Sequence, residues 1–188
     1  MPVGSVVVAL SQASVVDSAL ELLRESGLAG MSMRTLATRI GVQPSALYWH
    51  IPSKQVLLTA VAERVLATLG PVGAADSAAV ELRGIGAALR AAVTGVPDGA
   101  EIVALGLAAG AVNPVADAVE EACTRHGMAD RAAGLTTLLT GYVIGLGLEE
   151  QTHHNLRTAD PELPAIDFGP RFDAGLDAML AGVGASTV

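Results

Sequence analysis

Residues 36–54, LATRIGVQPSALYWHIPSK, decide how this chain reads. They hold two short helical patterns separated by a glycine. Leu36, Ala37 and Ile40 fall at i, i+1 and i+4, which puts them on one apolar helix face. Ser32 stands where an N-cap belongs, its hydroxyl ready to accept from first-turn amides that lack a helical partner. Gly41 supplies the left-handed residue that ends the helix. Pro44 suits the first turn of the next helix, where a missing N–H leaves nothing unsatisfied. Leu47 is the inward anchor of that helix. Pro52 ends it, because the residue before a proline is pushed out of the helical region. Ser53 then caps a fourth helix with Val56, Leu57, Ala60, Val61 and Val65 turned inward.

A helix this short, with the small residues Ser45 and Ala46 near its start, fits insertion into a DNA major groove. Recognition helices contact base edges mainly with their N-terminal residues. Gln43 suits adenine, Ser45 donates or accepts, and Ala46 suits a thymine methyl. Tyr48, His50 and Lys54 suit phosphates, which fix register without reading sequence. Arg34 can reach a guanine or a phosphate. The competing account makes Leu36, Ile40, Leu47 and Trp49 only the core of a small helical bundle. The order of turn glycine, proline, Tyr48-Trp49-His50 and lysine favours DNA.

MSMRTLATRIGV followed by ALYWHIPSKQVLL resembles the DNA-binding domain of the tetracycline-repressor (TetR) family, and LYWH resembles the branch of the tetracycline repressors themselves. The preceding helix fits: Val16, Ala19, Leu20 and Leu23 repeat at i, i+3, i+4 and i+7, and Gly27 closes it. The resemblance implies an all-α fold. Three helices form a helix-turn-helix head and a fourth links it to a larger helical body. Residues 1–68 are expected to be the head with its linking helix, and 69–188 the effector-binding and dimerisation body. By the same resemblance Arg34, Thr35, Gln43, Pro44, Ser45, Ala46, Tyr48, Trp49, His50 and Lys54 occupy DNA-facing positions. Pro44 and Ala46 depart from the polar residues expected in the tetracycline repressors. The departure bears on the operator sequence, not on the mode of docking.

Charge at first argues against nucleic acid, since the chain carries a formal −8. Its distribution reverses that. Residues 1–68 hold five basic and four acidic side chains, whereas 69–188 hold six basic and fifteen acidic. Between Arg34 and Lys54 there are three basic residues and no acid. The DNA-facing segment is locally positive on an acidic protein. Few cations per chain mean few displaced counterions and modest phosphate affinity, so two heads on a homodimer are expected to share the work. The longest apolar and glycine run, Ile102 to Val112, is eleven residues, against about 20 for a membrane span. The N-terminal VVVAL is short and lacks a basic flank, unlike a signal peptide. A single cysteine, Cys123, permits no internal disulfide and reads as a buried small hydrophobe. The expected location is the cytoplasm, with no membrane partner.

The body shows helical spacing and no useful strand alternation. Leu82, Ile85, Leu89 and Val93 mark a helix over 78–94, and Val96-Pro97-Asp98-Gly99 reads as a turn. A buried helix over 102–111 ends at Asn113-Pro114, and another runs over 115–126 with Gly127 as its cap. Residues 132–150 form the strongest body helix, with Leu135, Leu138, Leu139, Tyr142, Val143 and Leu146 stepping at three and four. Gly134, Gly141 and Gly145 line a neighbouring stripe. Interior glycines cost about 1 kcal/mol each against alanine, so three of them suggest close approach of another helix. Residues 151–169 read as a loop. A last helix covers 170–181 with Phe172, Leu176, Met179 and Leu180 on one face.

GYVIGLGLEEQTHH and RFDAGLDAMLAGV resemble the penultimate and final helices of the TetR-like body. That implies a dimeric four-helix arrangement, with Leu135, Leu138, Gly141, Gly145, Phe172, Leu176, Met179 and Leu180 at the interface. The resemblance covers about 10–68 and 132–183 well. It is weak over 70–130, where the family binds its effector. A small apolar effector is expected between body helices, walled by Ile102, Val103, Leu105, Leu107, Leu135, Leu139 and Tyr142. Arg90, Asn113 and Glu149 would orient it. The tetracycline repressors hold a magnesium–drug complex partly through a histidine shortly after an Asp-Gly-Ala turn. Here Asp98-Gly99-Ala100 leads to Val103 at the matching position, which cannot bind metal. Glu149 fits the acidic position but does not suffice alone. Neither tetracycline, a metal nor any other cofactor is expected. Adjacent His153 and His154 would point in different directions and make a poor pair of ligands.

No nucleophile–base pairing or phosphate-cradling loop is recognisable; GIGAALR has glycines but no preceding strand and looks helical. The expectation is therefore a non-enzymatic, ligand-responsive transcriptional repressor on a pseudo-palindromic double-stranded operator. The alternative is a helical effector-binding or interaction protein whose head no longer binds DNA.

Overall fold

A computed structural model describes residues 10–183. Most of the N-terminal VVVAL segment lies outside them. Among the described residues the secondary structure is helical: α1 (Gln12–Gly30), α2 (Met33–Ile40), α3 (Pro44–His50), α4 (Lys54–Leu66), α5 (Ala78–Thr94), α6 (Gly99–Ala108), α7 (Pro114–Arg125), α8 (Ala132–Ala159) and α9 (Phe168–Leu180). A single 3-10 turn, Ala129–Arg131, precedes α8.

Three of the first four helices, α1, α2 and α4, start where short polar side chains take over first-turn amides. Ser11 and Ser14 form a reciprocal capping box at α1. Ser32 and Thr35 form another at α2, with Thr35 N donating to Ser32 Oγ at 3.0 Å and Ser32 N to Thr35 Oγ1 at 2.9 Å. Ser53 Oγ accepts from Val56 N at 3.1 Å to start α4. α1 is broken at Gly27, whose φ is +63°, and Gly41 ends α2 at φ 79°. Both are left-handed positions that a side chain would strain.

Leu23, Leu36, Leu47, Ile51 and Leu57 are fully buried and tie α1 to α4 into a small core. That core does not stop at residue 68. One apolar cluster runs from Val15 to Val183, and α4 packs against α6 more extensively than any other helix pair. Gly106 makes this approach possible, since a Cβ there would overlap Ala62 Cβ. α5, α7 and α8 complete the body, and α9 lies across α5 and α8.

Two expectations need correction. α8 runs nine residues past 150 to Ala159, so His153 and His154 sit on a helix and not in a loop; no proline interrupts the chain until Pro161. Val56 is exposed: the inward stripe of α4 passes through Leu57, Leu58 and Val61 instead. Within Ala129–Ala159 one 18-residue window has a mean hydropathy of 1.3, long and apolar enough by composition to cross a membrane, as the core helix of a soluble protein can also be. Counting uninterrupted apolar runs misses this because threonines break the run without lowering the average much.

The largest feature that sequence patterning does not announce is a buried carboxylate. Glu81 on α5 is 2 % exposed. It accepts from Ala75 N at 2.7 Å, from Arg125 Nη2 at 3.1 Å, and lies 3.0 Å from His126 Nε2. The α4–α5 connection, α5 and α7 therefore meet on one side chain. The Ala75 amide, followed by Arg125 and His126, holds its carboxyl down at about 2 against the opposing effect of burial.

Candidate nucleic-acid interface

The recognition helix is built to be anchored on one side and bare on the other. Leu47 is its fully buried residue, and the Ile51 N–H closes its end on Leu47 O. The opposite side carries Gln43, Pro44, Ser45, Tyr48, Trp49 and His50, all exposed, with Ala46 half-buried. Trp49 is 88 % exposed and Tyr48 47 %. Trp49 is thus not a core residue, which removes the account of this segment as a mere bundle core. A bare indole on a helix this short is a surface that gains from a partner. Gln43 precedes α3 without spending its side chain on a cap, which leaves its amide free for a base edge.

The cations around this helix are not equally available. Arg39 is held by Glu25 at 2.6 Å and by Glu21 at 3.1 Å. These contacts raise the pKa of Arg39 and lower that of Glu25. Lys54 Nζ donates to Met31 O at 2.9 Å, tying the start of α4 to the α1–α2 junction. Its ammonium has further donors to offer a phosphate. Arg34 is exposed at the start of α2 and makes no side-chain ion pair among the described residues. Thr35, expected to face DNA, spends its hydroxyl on the capping box and on Gly30 O at 3.1 Å. It is a helix-starting residue first.

The residues named for an effector divide sharply. Ile102, Val103 and Leu139 are buried and Leu107 partly buried among α4, α5, α6 and α8. Tyr142 stacks on Phe172 at 5.9 Å, and its hydroxyl donates to Phe172 O at 2.9 Å. Arg90 pairs with Glu150 at 2.9 Å and lies 5.1 Å above the Phe172 ring. These two join a polar-aromatic seam between α5, α8 and α9. Asn113 and Glu149 do not join it. Asn113 Oδ1 caps α7 by accepting from Val115 N at 3.2 Å. Glu149 is exposed and paired with Arg171 at 3.0 Å. An asparagine at a helix start is a capping signal, and Asn113 fulfils that role.

The residues named for the dimer divide as well. Leu135, Phe172, Leu176 and Leu180 are buried within the single chain. Leu176, with Leu139, packs on Gly86 of α5. Phe172, Leu176 and Leu180 of α9 are thus packed within the single chain. Leu138 is 56 % exposed, and Met179 is half-buried. Gly141 and Gly145 are exposed, and a Cβ at either would meet no described residue within 4 Å. The exposed α8 stripe is Gly134, Leu138, Gly141 and Gly145, three to four residues apart, flanked by Leu148. The helices that do approach closely inside the chain use other glycines: Gly147 against Val93 and Ala100, and Gly175 under the Tyr142 ring.

Head and body also touch through a contact that sequence patterning missed. Asp98, the residue before α6, has φ 56°; such a conformation costs a non-glycine residue roughly 1–3 kcal/mol. Its Oδ2 accepts from Leu28 N at 2.7 Å, just past the Gly27 break in α1. Gln151 of α8 braces the same turn, donating to Val93 O and Val96 O at 3.1 and 3.2 Å and accepting from Ala100 N at 3.3 Å. The Val-Pro-Asp-Gly turn was legible in the sequence; its distant partners in α1 and α8 were not.

Residues 15–61 match the family described as bacterial regulatory proteins, tetR family. Over 178 residues the chain is 32 % identical to the tetracycline repressor protein class D of Escherichia coli, covering 90 % of this chain and 80 % of that one. BioQ, solved with its natural double-stranded DNA operator, superposes with a TM-score of 0.78 at 28 % identity, over 94 % of this chain and 99 % of that one. A TetR variant from Acinetobacter baumannii AYE, in complex with minocycline, gives 0.76 at 30 % identity, over 92 % and 96 %. With a bare recognition helix held on an all-helical body, the chain belongs to the tetR family of bacterial regulatory proteins and is a ligand-responsive, DNA-binding transcriptional regulator.

Proposed function

We propose that the chain is a cytoplasmic homodimeric repressor that leaves a pseudo-palindromic operator when a small apolar effector enters the body. Residues 1–68 act as the reading head and 69–188 as the sensing and dimerising body, with α4 shared between their packing. The observation that carries the DNA reading is the exposed side of α3, with Trp49 88 % exposed opposite a fully buried Leu47. Gln43 and Ser45 read bases; Tyr48, Trp49, His50, Lys54 and Arg34 grip the backbone. That a similar structure, BioQ, was solved with its double-stranded DNA operator supports the DNA-binding reading.

The dimer is formed by the exposed α8 stripe of Leu138, Gly141 and Gly145, with Met179 of α9 beside it. The open glycines there let a second α8 approach to short distance. The same stripe explains why so apolar a helix is only 28 % buried over its membrane-length stretch. The effector enters between α5, α6 and α8, against Ile102, Val103, Leu107, Leu139 and Tyr142, with Arg90 as the polar partner. Val103 offers no metal ligand, so the effector binds without one. Displacing α6 moves α4 through the tight Gly106–Ala62 contact, and an effector that favours one arrangement shifts operator affinity by its differential binding.

The test is a gel shift with the gene's own upstream DNA, titrated with salt. Specific retardation that weakens steeply with salt is expected. Substituting His50 or Lys54 by alanine should lower affinity for all DNA, whereas Gln43→Ala or Ser45→Ala should change sequence preference. Equal loss of preference from all four undoes this division between base readers and backbone grips. No retardation by the dimer at low salt favours the alternative, an effector-binding protein with a silent head.

A further inference from the structure

A groove of about 740 Å³ opens where the end of α1, the α5–α6 turn and the C-terminal half of α8 meet. That volume is in the range of small-molecule sites. It is separate from the apolar interior proposed for the effector. Its floor is stiff, because Gln151 holds the backbone of Val93, Val96 and Ala100. Its rim carries charge of both signs that the fold leaves partly unspent. Arg24 of the head has no side-chain hydrogen bond or ion pair among the described residues, nor do His154 and Asn155 of α8. On the acidic side, Asp98 uses Oδ2 on Leu28 N and Glu150 uses Oε2 on Arg90. In each the second carboxylate oxygen has no protein partner among the described residues.

Such a rim suits a ligand with both charges. A protonated amine would be accepted by Asp98 and Glu150. A carboxylate would be met by the Arg24 guanidinium and by N–H donors of His154 and Asn155. We propose that this head–body groove binds a small zwitterion of about di- or tripeptide size. Because Arg24 belongs to the head and the other groups to the body, an occupant bridges the two beside the Asp98–Leu28 contact. It would therefore act on the same head–body geometry as the body effector, from a different site.

The test uses the full chain without DNA, so its result is independent of the repressor reading. Trialanine, N-acetyl-trialanine and trialanine amide are titrated calorimetrically; they carry both charges, only the negative charge and only the positive one. Trialanine should bind, with each singly charged form weaker by about tenfold or more, the worth of a lost charged hydrogen bond. Arg24→Gln should abolish the preference for the free carboxylate, and Asp98→Asn that for the free amine. Arg24 is exposed and has no protein partner to lose, so its variant stays informative if Asp98→Asn disturbs the turn. Absence of heat with trialanine, equal binding of the three forms, or unchanged preference in the Arg24 variant would overturn the proposal.

Discussion

The head and the body are both helical, yet they are built by different physics. Three of the head's four helices begin with serines whose hydroxyls take up first-turn amides within a few residues, Ser11, Ser32 and Ser53. Its working surface is a helix with one buried side chain, Leu47. The body's helices bury apolar side chains against several neighbouring helices at once. Small residues set how near they come: Gly86, Gly106, Gly147 and Gly175 each sit under another helix. Its polar groups pair across long sequence distances, as Glu81 does with Arg125 and Arg90 with Glu150. Local chemistry specifies the head, and tertiary fit specifies the body.

The sharpest way to break this comparison is Leu47→Ala. The residue is fully buried, and truncating such a leucine costs about 4 kcal/mol. Operator binding should be lost while the dimer persists by sedimentation; loss of the dimer too would mean that head and body do not behave as separable units. Next is Glu81→Gln in the body, expected to cost about 2 kcal/mol because the charged hydrogen bonds from Ala75 N and Arg125 are weakened. The pH dependence has a defined sign. Glu81 is held at about 2 in the fold against 4.5 ordinarily. Its contribution is complete above about pH 4.5 and drains away as pH falls toward 2. Acid denaturation of the variant, followed by circular dichroism, should lack that segment of the wild-type slope.

Leu138→Glu tests the exposed stripe. The side chain is already in solvent in the single chain, so the helix content should stay, while the dimer dissociates and operator affinity falls by about 100-fold through lost bivalency. The smallest effect is expected from Arg39→Ala. Its guanidinium is occupied by Glu21 and Glu25, so operator affinity should remain within about twofold of wild type, as for other exposed ion pairs. A large loss in fluorescence anisotropy would mean that DNA draws Arg39 away from those carboxylates.

Legibility followed the same division. The turn glycine, Pro44, the Ser32 and Ser53 caps and the bare Tyr48-Trp49-His50 triplet are local signals, and the structure places each helix boundary of the head close to them. Thr35 carries two local signals at once, because capping and DNA contact favour the same residue type at the start of a helix. In the body the periodicity found the helices but not their faces. Leu135 and Leu138 are three residues apart on one helix, and hydrophobic spacing treats them alike; one is buried and the other exposed. The glycine stripe on α8 was legible, but only the packing revealed that nothing among the described residues fills it.

The sequence alone determined the family, the all-helical class and the recognition helix, because caps, turns and the buried–bare alternation of a seven-residue helix depend on neighbours a few positions away. The tertiary structure alone decided which leucines remain for a second copy and which cations remain for DNA. It also decided where Glu81 and Asp98 find their partners. Those outcomes depend on which helix face another helix covers and on pairings between groups tens of residues apart, and no local pattern encodes either.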